Sequence, residues 1–268
     1  HYIILLFLLV LILDHFVLLN MILVLELIHK GKLSLEGVLV VEIELILVFS
    51  LFLPPESFLR INKFSMFMRL IFIRHGETQI NVEGKMHIKG SSSELTKIGI
   101  NQILSTIAFL NKNNVEKVYS SPTKRTYQSA KLISEKLNIS LDVLDDLKER
   151  DWGNWETKTW NEISIVLDKM SLNERYEFIP PHGESWKQME ERLKVTLKKV
   201  TDGSEKCVCI VTHMGALRGL IPILKNQDKS VSLNFSFDNG SITIFDFKDN
   251  KYREIIINDT SHLNNSKH

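Results

Sequence analysis

The 268-residue chain sets 33 lysines and arginines against 32 aspartates and glutamates, and the formal net charge of +1 excludes the broad basic face that nucleic-acid binding needs. With 44% apolar and 24% charged residues the composition is that of an ordinary globular protein. The two cysteines, Cys207 and Cys209, lie in one apolar run, read as small buried hydrophobes in a reducing cytosol, and form no Cys/His cluster with zinc-finger spacing.

The average conceals a divide near residue 67. Residues 2–25 are almost wholly apolar and long enough to cross a bilayer, with Asp14 as the only mid-span charge. Residues 38–53 carry Glu42 and Glu44 in an alternating run and read poorly as a second span. The chain begins with His1, and Met66 and Met68 stand just before the first soluble-type strand. Two expectations follow for the hydrophobic segment at residues 1–67: a genuine membrane anchor, or upstream sequence translated ahead of a compact domain at residues 68–268. The second places the domain in the cytoplasm, and the first makes it membrane-associated.

Within that domain, residues 70–73 (Leu-Ile-Phe-Ile) predict a strand buried on both faces, which stops at Arg74-His75 and turns at Gly76. Ile98, Ile103, Ile107 and Leu110 fall at helical spacing behind Thr96 as N-cap. A short strand over 115–120 leads through Ser121-Pro122 to a helix carrying Arg125, with Pro122 in or beside its first turn. A weak strand over 141–147 precedes Glu149-Arg150-Asp151-Trp152, and helices are expected near 159–170 and 184–200. Residues 207–212 form a clear strand that delivers His213 into another helix, and 241–247 with 252–257 close the fold as paired strands. Strands alternating with helices predict a three-layer α/β/α sandwich with a mainly parallel sheet.

Such a sheet collects the ends of its strands at one edge, where open α/β folds bind ligands. Arg74, His75, Arg125 and His213 are all placed there. The chemistry they support is phosphoryl transfer to an imidazole. A neutral histidine attacks phosphorus through one nitrogen while the other donates to a fixed acceptor. Two arginines and a protonated second histidine would stabilise the equatorial oxygens. The departing alkoxide needs a proton, and Glu149, close to Trp152 and Trp155, is the candidate acid because apolar surroundings disfavour a charged carboxylate. Arg150 and Lys124 are expected to face water, and at least one of the tryptophans to line the pocket beside Glu149.

The ordered set of motifs resembles the histidine phosphatase superfamily, the phosphoglycerate mutase-like fold. It runs through Arg74-His75-Gly76-Glu77-Thr78 with Asn81, Leu95-Thr96 with Gly99 and Gln102, and Ser121-Pro122 with Arg125 and Gln128-Ser129-Ala130. It continues with Leu147, Glu149, Gly153 and Trp155-Glu156, then Gly183-Glu184-Ser185, Thr212-His213-Met214-Gly215 and Asn258-Asp259-Thr260-Ser261-His262-Leu263. The resemblance implies His75 as phosphorylated nucleophile, with Arg74, Asn81, Arg125 and His213 binding the phosphate. It implies Glu149 as proton donor and later base, with no metal and no cofactor. Within the family the chain looks most like small bacterial phosphatases such as α-ribazole phosphatase. There is no long insertion between Glu156 and His182 and no adjacent arginine pair of the mutase kind. Thr157 and the Gly90-Ser91-Ser92-Ser93 loop depart from the pattern, which leaves the substrate open. The expected activity is a metal-independent phosphomonoesterase acting on small phosphate esters. Phosphoglycerate mutase activity and a catalytically silent, membrane-tethered phosphate-binding module are the alternatives, and a homodimer stays open. His182 and His262 are expected as structural histidines, and His87 as a solvent-facing one.

Overall fold

The computed structural model describes residues 67–85, 93–229, 232 and 235–266. Residues 1–66, His87 and residues 90–92 lie outside them, so the expectations for the hydrophobic segment and most of the substrate loop fall there. Among the described residues no helix is long and apolar enough to cross a membrane.

The chain order is β1 (Met68–Arg74), α1 (Gln79–Val82), α2 (Lys97–Lys112), β2 (Lys117–Ser120), α3 (Lys124–Leu137) and β3 (Ser140–Val143), then two 3₁₀ turns (Asp145–Leu147 and Gly153–Thr157). There follow α4 (Trp160–Leu167), α5 (Leu172–Glu177), α6 (Trp186–Thr201), β4 (Cys207–Thr212), α7 (Met214–Lys225), β5 (Ile242–Lys248), β6 (Lys251–Asp259) and a final 3₁₀ turn, Ser261–Ser266. The six strands form one sheet in the order β3-β2-β4-β1-β5-β6.

The expected mainly parallel sheet is a mixed one. The β3-β2-β4-β1 half is parallel, whereas β5 runs antiparallel to β1 and β6 antiparallel to β5. No crossover helix separates β5 from β6: Asp249 and Asn250, at φ +50° and +58°, make a two-residue hairpin turn that forces antiparallel pairing. Pro122 also sits differently, two residues before the helix, because Thr123 is the N-cap of α3. The weak third strand stops at Val143, and α5, a short helix behind a Ser171/Glu174 capping box, was not expected.

Alternation along the strands builds the two cores. Leu70 and Phe72 on β1, with Val208 and Ile210 on β4, face Leu193, Leu197, Leu217 and Leu220 of α6 and α7. Ile71, Ile73, Cys209 and Val211 face Ile103 and Leu110 of α2 and Ile133 of α3. The result is three layers. Cys207 and Cys209 are free, buried, and share this second core, as residues two apart on a strand must.

One charge is built into the sheet. Asp246 on β5 is 2% exposed, and its carboxylate accepts hydrogen bonds of 2.9 Å from Arg69 on β1 and Arg253 on β6. Burial alone would raise its pKa, but the two guanidinium hydrogen bonds outweigh it and hold the group below its ordinary 3.8. The folded value lies below the unfolded one, so this stabilisation is complete above the ordinary carboxylate range and fades as pH falls through the lowered value. Asp246→Ala is expected to cost about 2–4 kcal/mol in urea denaturation at neutral pH. The deficit should narrow on acidification; a deficit independent of pH would remove the ion pairs as its cause.

Candidate active site

β1 and β4 are paired in parallel with Arg74 opposite Thr212, so the two histidines that follow, His75 and His213, leave neighbouring strands at one level. Backbone bonds fix both exits: His75 N–H donates to the Thr212 carbonyl at 3.0 Å, and Ser121 N–H to the Val211 carbonyl at 3.2 Å. Three adjacent strand ends thus deliver His75, Ser121 and His213 to one edge.

The loop after β1 is clamped onto α2. A Cβ on Gly76 would come within 2.3 Å of the Gly99 carbonyl oxygen, so only glycine permits this backbone contact. Glu77 N–H donates to Gln102 Oε1 at 2.8 Å, and Thr96 Oγ1 donates to Glu77 Oε1 at 2.8 Å. The clamp holds the His75 ring, 2% exposed, with Nδ1 2.8 Å from the Gly76 carbonyl oxygen. A carbonyl only accepts, so Nδ1 carries the proton and the ring's lone pair is on Nε2.

Arg74 donates to the Phe237 carbonyl at 2.6 Å, and Arg125 Nη2 lies 3.0 Å from His213 Nδ1. The Nε of each arginine is buried without a hydrogen-bond partner. Burial lowers the pKa of both, Arg125 to about 10, with Glu149 opposing the shift, so both stay charged at neutral pH. A guanidinium only donates, so Nδ1 of His213 accepts and its proton sits on Nε2, 2.9 Å from Ser121 Oγ. Arg74 and Arg125 bring positive charge to the cavity wall, and His213 contacts Arg125. The His213 ring is fully buried and stands edge-on to His75, centroids 5.5 Å apart.

Glu149 arrives from the opposite wall. Its Oε1 accepts the Arg150 N–H at 2.8 Å and its Oε2 the Gly215 N–H at 2.9 Å. Thr212 Oγ1 ties the same loop to β4 through the Leu147 carbonyl at 2.8 Å, and Arg192 donates to the Glu149 carbonyl at 3.2 Å. Gly153, at φ +51°, and Gly183 pass so closely that a Cβ on either would strike the other's backbone.

Arg74, His75, Asn81, Arg125 and Glu149 line one cavity of about 160 Å³. Asn81 reaches it from α1, where it closes a capping box with Thr78, and Asn239 Nδ2 donates both to Asn81 Oδ1 at 3.2 Å and to the His75 carbonyl at 3.0 Å. Trp152, Trp160 and Trp186 line the same cavity, as does Gly215. Among the described residues no group of three or more His, Cys, Asp or Glu could hold a metal ion.

Arg150 corrects an expectation. It is 3% exposed rather than water-facing, its guanidinium lying 4.1 Å from the Trp152 ring centroid and 5.0 Å from that of Trp186. The tryptophans on either side of it in the folded chain are far apart in sequence, so only Arg150-Asp151-Trp152 hinted at the stack. Lys124 is exposed, as expected, and paired with Glu94. His182 is exposed at φ +62°, and His262 bonds the Gly240 carbonyl at 3.0 Å, bracing the turn whose Gly240 N–H donates to the Arg74 carbonyl. Sequence reasoning did not pick out Lys85, Arg218 or Asn239 at or behind the cavity.

Residues 70–260 match the family described as the histidine phosphatase superfamily, branch 1. The chain belongs to this superfamily. Among its relatives, phosphoserine phosphatase 1 of Hydrogenobacter thermophilus is 28% identical over 204 residues, 73% of this chain and 94% of the relative. The adenosylcobalamin/alpha-ribazole phosphatase of Escherichia coli is 25% identical over 183 residues, 67% of this chain and 90% of the relative. A phosphoserine phosphatase mutant from Entamoeba histolytica, solved with phosphoserine, superposes with a TM-score of 0.64 at 27% identity, covering 73% of this chain and 99% of that one. This histidine phosphatase is accordingly a phosphoric monoester hydrolase.

Proposed function

We propose that the enzyme is a metal-independent phosphomonoesterase working through a phosphohistidine at His75, and that residues 68–268 carry all of the chemistry. The observation that carries the reading is the 2.8 Å contact of His75 Nδ1 with the Gly76 carbonyl, in a cavity shared with Arg74, Arg125 and Glu149. That contact supports the tautomer with its lone pair on Nε2, the atom that would attack phosphorus.

The ester's phosphoryl group enters against the two guanidinium groups, which offset the charge on its equatorial oxygens where many phosphatases place a metal. Nε2 attacks phosphorus in line and the P–O bond to the alcohol breaks. Glu149, as the carboxylic acid, gives its proton to the departing oxygen. In the second half Glu149, now a carboxylate, takes a proton from water. The resulting oxygen attacks phosphorus, the P–N bond breaks, and orthophosphate leaves with His75 restored. His213 positions Arg125 through the 3.0 Å contact, and Asn81 supplies a side-chain amide at the rim.

The purified full chain is expected to release phosphate from p-nitrophenyl phosphate, phosphoserine and α-ribazole phosphate at a rate unchanged by EDTA. An EDTA-sensitive rate would overturn the metal-free reading. Isomerisation of 3-phosphoglycerate without release would move the enzyme to the mutases.

A further inference from the structure

A second cavity, of about 260 Å³, adjoins the inner one of about 160 Å³, and Trp152, Trp160, Trp186 and Arg218 line both. These four stand at the boundary between the two cavities. Trp152 and Trp160 meet edge-to-face, centroids 5.9 Å apart at 86°, so two indoles present perpendicular surfaces. Behind them Arg150 is stacked between Trp152 and Trp186 and donates to the Glu184 and Phe178 carbonyls at 3.2 Å each, which fixes the walls. Indole walls set at right angles accept a flat ring by face and edge together, a geometry that a three-carbon alcohol would leave unfilled.

The outer cavity is also positively charged. Its lining holds three cations, Arg175, Arg218 and Lys229, against one carboxylate, Asp168, and Asp168 already pairs with Arg175 at 3.0 Å. Arg218 is anchored by its Nε bond to the Ser232 carbonyl at 3.2 Å, and the Lys229 ammonium lies 4.4 Å from the Tyr176 ring centroid. A neutral aromatic alcohol would satisfy the indoles and make no use of the Lys229 ammonium in the lining.

We infer that the outer cavity seats the alcohol portion of the substrate and selects phosphate monoesters of aromatic alcohols that carry a distal acidic group, with Lys229 reading the acid and Trp160 the ring. The inference rests on the phosphoryl-transfer reading of the inner cavity.

Three probes test it on the full chain: phosphotyrosine, phosphotyramine, which keeps the phenol but lacks the carboxylate, and phosphoserine. Because the first two share a leaving group, their ratio isolates the acid. The enzyme should prefer phosphotyrosine to phosphotyramine in kcat/KM by about tenfold, the worth of one charge-assisted contact. Lys229→Gln should erase that preference through KM with kcat unchanged, and Lys229→Arg should restore it. Trp160→Ala should lower kcat/KM for both aryl esters about tenfold more than for phosphoserine, whatever it does to the inner cavity it also lines. If phosphoserine is turned over without metal while neither variant alters the ratios, the inference falls and the phosphoryl-transfer reading stands. If no probe is hydrolysed, or hydrolysis needs a metal, that reading falls and takes this one with it.

Discussion

His75→Ala is expected to lower kcat/KM by at least about 10⁴-fold on every ester, because His75 is the only histidine among the described residues that line the cavity. The ring stands at the end of β1, outside both apolar cores, and the bonds that fix its surroundings are made by backbone: His75 N–H to Thr212 and the His75 carbonyl to Asn239. Loss of unfolding free energy should therefore stay within about 2 kcal/mol. The chemical signature is separate from the rate. Quenching the parent enzyme in alkali during turnover should trap one phosphoryl group per chain, stable to base and released by acid, as a P–N bond is; the variant should trap none. A variant that turns over at a rate near the parent's, or that traps phosphate equally, would place the nucleophile elsewhere.

That His75 could be picked out from sequence reflects how its position is encoded. A run of four apolar residues ending in Arg-His-Gly is a local pattern, and the same pattern recurs at Cys207-Val-Cys-Ile-Val-Thr-His213. Two buried strands, each ending in a histidine, suffice to place both rings at one sheet edge, and β1 and β4 pair in register to do so. The antiparallel half of the sheet was harder to read. The direction of β5 and β6 depends on a turn at Asp249-Asn250 whose positive φ angles no alternation of apolar residues reveals. Arg150 was misjudged for a related reason. A guanidinium reads as surface, and its burial needs Trp186 and the Phe178 and Glu184 carbonyls, all supplied by the return of the chain some thirty residues later. The contact between Arg125 and His213 was likewise out of reach, since it joins residues 88 apart in the chain.

Glu149→Gln should separate the two halves of the leaving-group problem. An alkyl phosphate departs as a strongly basic alkoxide and needs a proton in the transition state; p-nitrophenolate does not. The amide cannot supply that proton, so kcat/KM, which reports formation of the phosphoenzyme and not the water step that Glu149 also serves, is expected to fall by about 10²–10⁴-fold for phosphoserine and by much less for p-nitrophenyl phosphate. Gly215→Ala gives the same test without touching the carboxyl chemistry. A Cβ at position 215 would lie 2.1 Å from Glu149 Oε1, so the carboxylate must leave its place between the Arg150 and Gly215 amides. If Glu149 acts through position, the glycine variant should reproduce the substrate-dependent loss while still trapping phosphate on His75, since the first step on a good leaving group does not need the acid. Equal losses on both esters in either variant would remove Glu149 from the acid role. They would leave Gly215 as a packing requirement of the turn into α7, where His213 is the N-cap residue of a helix that starts at Met214.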